Sequence, residues 1–230
     1  MSRLPLLTAL RIAPKEARTR TTARVLRACC RTPFVFDGER YDYLFHHYNT
    51  TWRNERTVEV PLAARVLAGH RGARMLEIGN VLHNYLGEDE LPAGRMIVDK
   101  YEVAPGVRNM DVVDHRPEST YDMIVAISTM EHVGWDEEPQ DPAKAAAAIE
   151  RIHTWLAPKG QLLVTVPLGH HPELDRRLLD GPPLFGQLHF MRRVSAENRW
   201  TQADAVEVRG ARYGSPFPFA NAIAIGRSSA

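Results

Sequence analysis

The sequence predicts an α/β fold: a mostly parallel sheet of seven strands, helices on both of its faces, and an antiparallel strand at the end. Three observations point there. From residue 74 onward, short β-rich apolar runs alternate with helical or turn-rich stretches, the order expected of strands joined by crossovers. Several of those runs end in an acid, a glycine or a serine, residue types suited to the ligand crevice of an open sheet. The chain has 230 residues, 44% of them hydrophobic, enough to bury the core of one such domain.

Taken in order, the predicted strands are 74–78, 95–99, 107–112, 121–127, 161–166, 205–209 and 222–226. The best-defined helix precedes the fifth strand. Asp141 can cap it, Pro142 suits its first turn, and Ile149, Ile152 and Leu156 form one apolar stripe that Pro158-Lys159-Gly160 stops. No helix fits between the last two strands, so the loop 211–219 makes them an antiparallel pair. Residues 1–57 break the alternation and divide from the sheet domain, 58–230. Their second half is dense in aromatics and His, from Phe34 to Trp52, and reads as a lid or substrate wall, or as an ordinary packing layer.

Charge separates few function classes. Lys and Arg number 29 against 28 Asp and Glu, so no overall field favours nucleic acid. Arg3, Arg11, Lys15, Arg18, Arg20, Arg24, Arg27 and Arg31 form a basic leader, either a solvated helix face or an arm for anionic lipid or phosphate. No apolar run reaches the roughly 18 residues of a membrane span, and Leu4 to Leu10 is a poor secretory core. A cytoplasmic protein with reduced Cys29 and Cys30 is expected, with a homodimer left open. The sequon Asn49-Thr50-Thr51 then has no consequence.

The chemistry concentrates at the strand ends. Glu77-Ile78-Gly79 closes the first strand with a glycine that lets the chain turn sharply beside a ligand. Asp99 closes the second, about 20 residues on, where a carboxylate accepts hydrogen bonds from a ribose diol. Asp111 follows the third, and Ser128-Thr129-Met130-Glu131-His132 the fourth. This ordered series, with "EIGNVLHNY", "VDKYE", "MDVVD", "YDMIVAISTMEHVGWDE", "HTWLAPKGQLLVTVP" and "YNTTWRNERTVEVPLA", resembles the class I S-adenosylmethionine-dependent methyltransferases, more narrowly a small bacterial group whose first motif reads Gly-Asn-Val-Leu. The resemblance runs from about residue 34 to 226 and implies a Rossmann-like sheet and S-adenosylmethionine as cofactor. It also implies that Glu77 and Gly79 line the methionine and ribose part, that Asp99 binds the ribose diol, that Asp111 and the Val112 amide meet the adenine, and that Ser128 lies beside the methionine, with Asn80 and Lys100 also expected among the cofactor-binding residues.

The first motif departs from a dinucleotide turn, because Val81 and His83 stand where further glycines would be. Those glycines let backbone touch a pyrophosphate. S-adenosylmethionine has none, so the turn disfavours a nicotinamide cofactor and tolerates an adenosyl one, with Asn80 able to adopt the positive φ of a glycine.

Methyl transfer is an in-line displacement, so few catalytic groups are needed. His132 is the candidate general base, or else a His that fastens the turn 128–134. Glu131 reads as structural, while His170 and His171 could reach an acceptor. His83, His132, His170, His171 and His189 lack the spacing of a known zinc motif, so no metal is expected. Tyr48, Asn49 and Trp52 are the expected acceptor wall, with Arg56 either beside it or paired to Glu59. The expected activity is O- or N-methylation of a small polar or sugar-containing acceptor. A non-methylating enzyme on the same cofactor and a degenerate partner subunit are the alternatives.

Overall fold

The computed structural model describes residues 4–30 and 32–230, with side chains from residue 15 onward. The expectations placed on Arg3, Arg31 and the side chain of Arg11 lie outside that range. The chain opens with α1 (Leu4–Cys29), a hairpin of β1 (Phe34–Phe36) and β2 (Glu39–Tyr41), a short 3-10 segment at Tyr48–Arg53, and α2 (Arg56–Ala68). Then come β3 (Met75–Ile78), β4 (Met96–Asp99), β5 (Val107–Asn109), β6 (Tyr121–Ile127), α3 (Lys144–His153) and β7 (Leu156–Pro167). The last part holds α4 (Pro172–Asp180), β8 (Gln187–Arg193), β9 (Trp200–Ala203), α5 (Ala205–Val208) and β10 (Ala222–Ser229). No helix among the described residues is long and apolar enough to cross a membrane.

Eight strands form the main sheet in the order β5-β4-β3-β6-β7-β10-β8-β9, so the expected count of seven is one short. The first five run parallel, and β10 lies antiparallel between β7 and β8. Chain order reverses between β3 and β6, which opens a crevice beyond their carboxyl ends.

Alternation along each strand sorts the core into two layers. Leu76, Ile124, Leu162 and Val164 face α3 and α4, where Ile149 and Ile152 supply two members of the expected stripe and Leu174 and Leu178 add to the layer; the helix ends at His153, so Leu156 and Pro158-Lys159-Gly160 lie in β7 instead. Met75, Met123, Val125 and Leu163 face the other way, against α2 and the aromatics Phe34, Phe36, Tyr41, Tyr43 and Phe45. Those five aromatics are therefore a packing layer. Burying such rings supplies the apolar area that fastens the N-terminal segment to the sheet.

Two elements differ from expectation. Where the sequence predicts a strand over 205–209, Ala205–Val208 form a helix: Glu207 Oε2 accepts the Asp204 N–H at 3.0 Å, one half of a capping box that starts a helix whatever the local alternation suggests. β8 and β9 supply the strands that pair with β10 and extend the sheet. In addition, α3 begins at Lys144 instead of Asp141, whose Oδ1 accepts the Ala143 N–H at 3.1 Å one turn earlier.

Candidate active site

β3 leaves the sheet through Gly79, whose φ of +84° is open to glycine at little cost. A β-carbon there would lie 2.3 Å from Thr129 Oγ1 and 3.0 Å from its Cγ2, so the backbone of this turn presses directly on the chain leaving β6. The Gly79 N–H donates to Val98 O at 2.8 Å and ties the turn to β4. The positive φ belongs to Gly79 and not to Asn80, contrary to the expectation for Asn80. Asn80 instead donates from Nδ2 to Glu102 Oε1 at 2.6 Å. A single 3-10 turn, Leu82–Asn84, stands where a crossover helix would start.

Glu77 is buried, and its Oε1 accepts the N–H groups of Val81 and Leu82 at 2.9 and 2.7 Å. Burial pushes its carboxyl up, against the opposing pull of those two amides and of Arg95. Its carboxylate holds the turn together from beneath and does not line the cavity above it. Val81 does line that cavity, while His83 points to solvent, so neither side chain plugs it.

The cavity has a volume of about 310 Å³, and the ends of β3, β4 and β6 with the turn after β5 form its floor. Of the sequence-predicted residues, it brings together Tyr48, Asn49, Gly79, Asn80, Asp99, Lys100, Asp111, Val112, Ser128 and His132. Asp99 Oδ1 accepts the amides of Tyr101 and Glu102 at 2.8 and 2.7 Å, and its Oδ2 has no hydrogen-bond donor among the described residues. Asp111 is more heavily engaged. Its Oδ1 accepts Val113 N–H at 3.1 Å, and its Oδ2 lies 2.9 Å from Lys100 Nζ and 2.5 Å from Lys144 Nζ. Glu137 meets the same two lysines at 2.7 and 2.6 Å. Burial would raise the Asp111 carboxyl, but the lysines outweigh it and hold it below its usual range. The Val112 amide opens the 3-10 turn Val112–Asp114 and so has no partner within it.

Across the cavity, Ser128 takes a φ of +40° and donates from Oγ to the buried Glu59 Oε1 at 2.7 Å. Arg56 pairs with Glu59 Oε2 at 2.5 Å, lines the cavity, and so fills both roles the sequence left open for it. Glu131 is buried, its Oε2 has no partner, and burial raises its carboxyl well above the usual range. His132 stands at the rim, with Nδ1 2.5 Å from Asp136 Oδ2. Trp52 packs into the second core layer instead of the cavity, and His170 lies outside it, its ring 4.8 Å from that of His132.

Sequence reasoning missed Tyr85, Glu102, Thr129 and Glu137, which also line the cavity. Glu137 was readable only as one acid in a run. Tyr85 carries the most information, because its ring meets those of His46 and Tyr48 at 5.6 and 5.5 Å and closes one wall.

That wall has a built-in pH dependence. His46 Nδ1 accepts the Tyr48 N–H at 3.2 Å, so its ring is neutral there. Burial first, then His47, Arg27 and Arg20, lower its pKa from 6.5 to about 4. A base whose folded pKa is depressed contributes stability that is complete above the unfolded value and is lost as pH falls from 6.5 toward 4. Allowing for solvent screening, the loss is on the order of 2 kcal/mol. Urea midpoints measured from pH 7 to pH 4.5 should fall more steeply for the wild type than for His46→Gln, and equal slopes would remove His46 as the cause.

The sequence matches no protein-family model and no curated protein. Among solved structures it is similar to the N-methyltransferase NodS from Bradyrhizobium japonicum in complex with S-adenosylhomocysteine, with a TM-score of 0.47 at 12% identity over 76% of this chain and 88% of that one. It is also similar to a 1,6-didemethyltoxoflavin-N1-methyltransferase from Burkholderia thailandensis, TM-score 0.40 at 17% identity over 81% and 84%. A sugar N-methyltransferase from Streptoalloteichus aligns with a TM-score of 0.37 at 13% identity over 86% and 97%. At these values the likeness concerns the general chain trace, and any assignment of function rests on the cavity itself.

Proposed function

We propose that this chain is an S-adenosylmethionine-dependent methyltransferase that acts on a small polar or sugar-containing acceptor by O- or N-methylation. One observation carries the reading: Asp99, with a carboxylate oxygen that accepts from no donor among the described residues, Gly79 and Val112 line one cavity. That donor set suits an adenosyl group. Asp99 Oδ2 would take the ribose hydroxyls, and the Gly79 turn, whose missing β-carbon lets it pack against Thr129, would set its backbone beside the ligand. The Lys100 and Lys144 pairs with Asp111 and Glu137 fix the adenine end of the cavity, so the Val112 amide rather than the Asp111 carboxylate is the group left for the base. Bound there, S-adenosylmethionine supplies an electrophilic methyl group on a sulfonium.

The rest falls to the chain's own residues. Tyr48, Asn49 and Tyr85 wall the acceptor side and exclude water from it. With Asp136 holding Nδ1–H, the Nε2 of His132, 3.6 Å from Glu131 Oε1, would be the acceptor for a proton from a hydroxyl or ammonium group. Calorimetry with S-adenosylhomocysteine tests the cofactor, and absence of binding at millimolar ligand would overturn the reading in favour of a degenerate subunit. Incubation with methyl-labelled S-adenosylmethionine and candidate acceptors tests the reaction, since turnover without label in the product would mean a different chemistry. In the same assay His132→Ala should lower kcat by about 10²-fold or more with S-adenosylhomocysteine affinity unchanged. A wild-type rate would remove His132 from proton transfer.

A further inference from the structure

Two loops that are far apart in sequence meet at the cavity rim. The turn after β6 folds back on itself, with the amides of Trp135 and Asp136 both donating to His132 O at 3.2 and 3.1 Å, and this sets Asp136 beside His132. The turn after β7 brings His170 to the same place: its Nε2 lies 3.3 Å from Asp136 Oδ1 while His132 Nδ1 lies 2.5 Å from Oδ2. One carboxylate therefore stands between two imidazoles, and one ligand atom from each of the three residues lies within 4.8 Å of the others.

We propose that His132, Asp136 and His170 form a binding site for a divalent first-row transition metal ion, with its open coordination positions turned toward the cavity. The donor set is two imidazole nitrogens and a carboxylate oxygen, which suits zinc, cobalt, iron or manganese better than calcium or magnesium. Ligand atoms about 2.1 Å from one ion lie roughly 3 to 4 Å apart, so a site drawn from atoms within 4.8 Å needs only small side-chain rotations. These groups can make them, since their side chains are 48%, 44% and 25% exposed.

The supporting shell is already in place. His171, next to the ligand, caps α4 by accepting the Leu174 N–H on Nδ1 at 3.2 Å, and its ring stacks on Trp135 at 4.8 Å. Asp175 Oδ2 accepts the Gly169 N–H at 2.7 Å, and the Tyr213 ring backs His170 at 5.6 Å. Both ligand-bearing loops are thus fixed by contacts that do not use the ligand atoms, as a preorganised metal site requires. Three protein ligands leave positions free for water or an acceptor. His132 lines the cavity, so those positions serve an acceptor with oxygen donors, such as a diol or hydroxy acid, whose hydroxyl is made more acidic by the cation. In the loaded site His132 would be a ligand, and the cation would take over from it the task of acidifying the acceptor. The ion site goes beyond the methyltransferase reading and does not depend on it.

The test is a titration of the metal-free full-length protein with Co²⁺, followed by visible absorption, with Zn²⁺ competition by calorimetry. A single saturable site is expected, weakened about 10-fold or more in Asp136→Asn and in His170→Ala, and unchanged in His83→Ala. Circular dichroism melts on the same samples check that the variants fold, and His170→Gln replaces any that does not. Binding that is absent, or equally tight in wild type, Asp136→Asn and the His170 variant, would overturn the metal site and leave a hydrogen-bonded His-Asp-His cluster. S-adenosylhomocysteine binding measured alongside keeps the two readings apart: Co²⁺ bound without it removes only the cofactor assignment, and the reverse removes only the metal.

Discussion

Gly79→Ala is expected to destabilise the protein by about 2 to 4 kcal/mol and to weaken S-adenosylhomocysteine binding at least 10-fold. Two costs combine. A side chain in the left-handed region costs about 1 to 2 kcal/mol, and Gly79 has a φ of +84°. The added methyl would also sit 2.3 Å from Thr129 Oγ1, a contact something must move to relieve. Thr129 is poorly placed to move, because its hydroxyl donates to Ile127 O at 3.1 Å within the turn that carries Ser128 and His132. Relief would have to come from the backbone of one of the two strand ends that shape the cavity, so stability and binding should fall together. The double variant Gly79→Ala with Thr129→Ala separates the causes: it removes the Oγ1 and Cγ2 clashes while leaving the φ penalty, so about half of the lost stability should return. Urea denaturation of wild type, Gly79→Ala, Thr129→Ala and the double variant gives the answer. A single Gly79→Ala loss under about 0.5 kcal/mol would mean that the turn does not need a glycine.

The centre of the parallel half was legible because β3 and β6 are buried on both faces and stand out as apolar runs. The run 121–127 matches β6 end for end. The antiparallel half was hidden by chemistry that tertiary contacts neutralise. β8 reads Gln-Leu-His-Phe-Met-Arg-Arg and ends in two charges, yet Arg193 is buried because its guanidinium donates to the carbonyls of Ser195, Arg53, Pro218 and Ala196 at 2.9 to 3.0 Å. No local pattern encodes the two of these carbonyls, Pro218 and Arg53, that come from segments 25 and 140 residues away. Two other misses were readable. Asp37-Gly38 between Phe-Val-Phe and Glu-Arg-Tyr is a strong hairpin signal, and both residues take positive φ in the β1–β2 turn. Asp204-x-x-Glu207 is a capping signal, but the apolar-polar alternation of 205–209 masked it.

The candidate site divides the same way. Strand ends placed Gly79, Asp99, Asp111 and Ser128 around one crevice, since sheet topology alone brings parallel strand ends together. What each side chain does there depends on partners that arrive from elsewhere in the chain: Arg95 and two amides for Glu77, Lys144 for Asp111, Glu59 for Ser128. Trp52 illustrates the limit. It shares a 3-10 segment with Tyr48 and Asn49, but the kink at Asn49 and Thr50, with φ of 51° and 45°, turns it from the cavity into the core.

Asp99 provides the most direct test of the cofactor. Its two oxygens differ: Oδ1 holds the Tyr101 and Glu102 amides, and Oδ2 accepts from no donor among the described residues, on a residue that lines the cavity. Asp99→Ala removes both, so it should raise the Kd for S-adenosylhomocysteine about 100-fold, the equivalent of roughly 3 kcal/mol for charge-assisted bonds to a diol. Part of that would come from the loosened loop and not from the ribose. Asp99→Asn separates the parts, because its remaining oxygen can still accept from the loop amides while its NH₂ cannot accept from a hydroxyl. The asparagine variant should keep wild-type thermal stability and still lose about 10-fold in affinity. A ligand analogue without ribose hydroxyls extends the argument: it should bind wild type and Asp99→Asn alike, since the interaction the substitution removes is already missing from the ligand. If Asp99→Ala binds S-adenosylhomocysteine within threefold of wild type, or if the analogue loses as much affinity as the parent in Asp99→Asn, the carboxylate does not hold a ribose, and the cavity must be reassigned to a ligand of another shape.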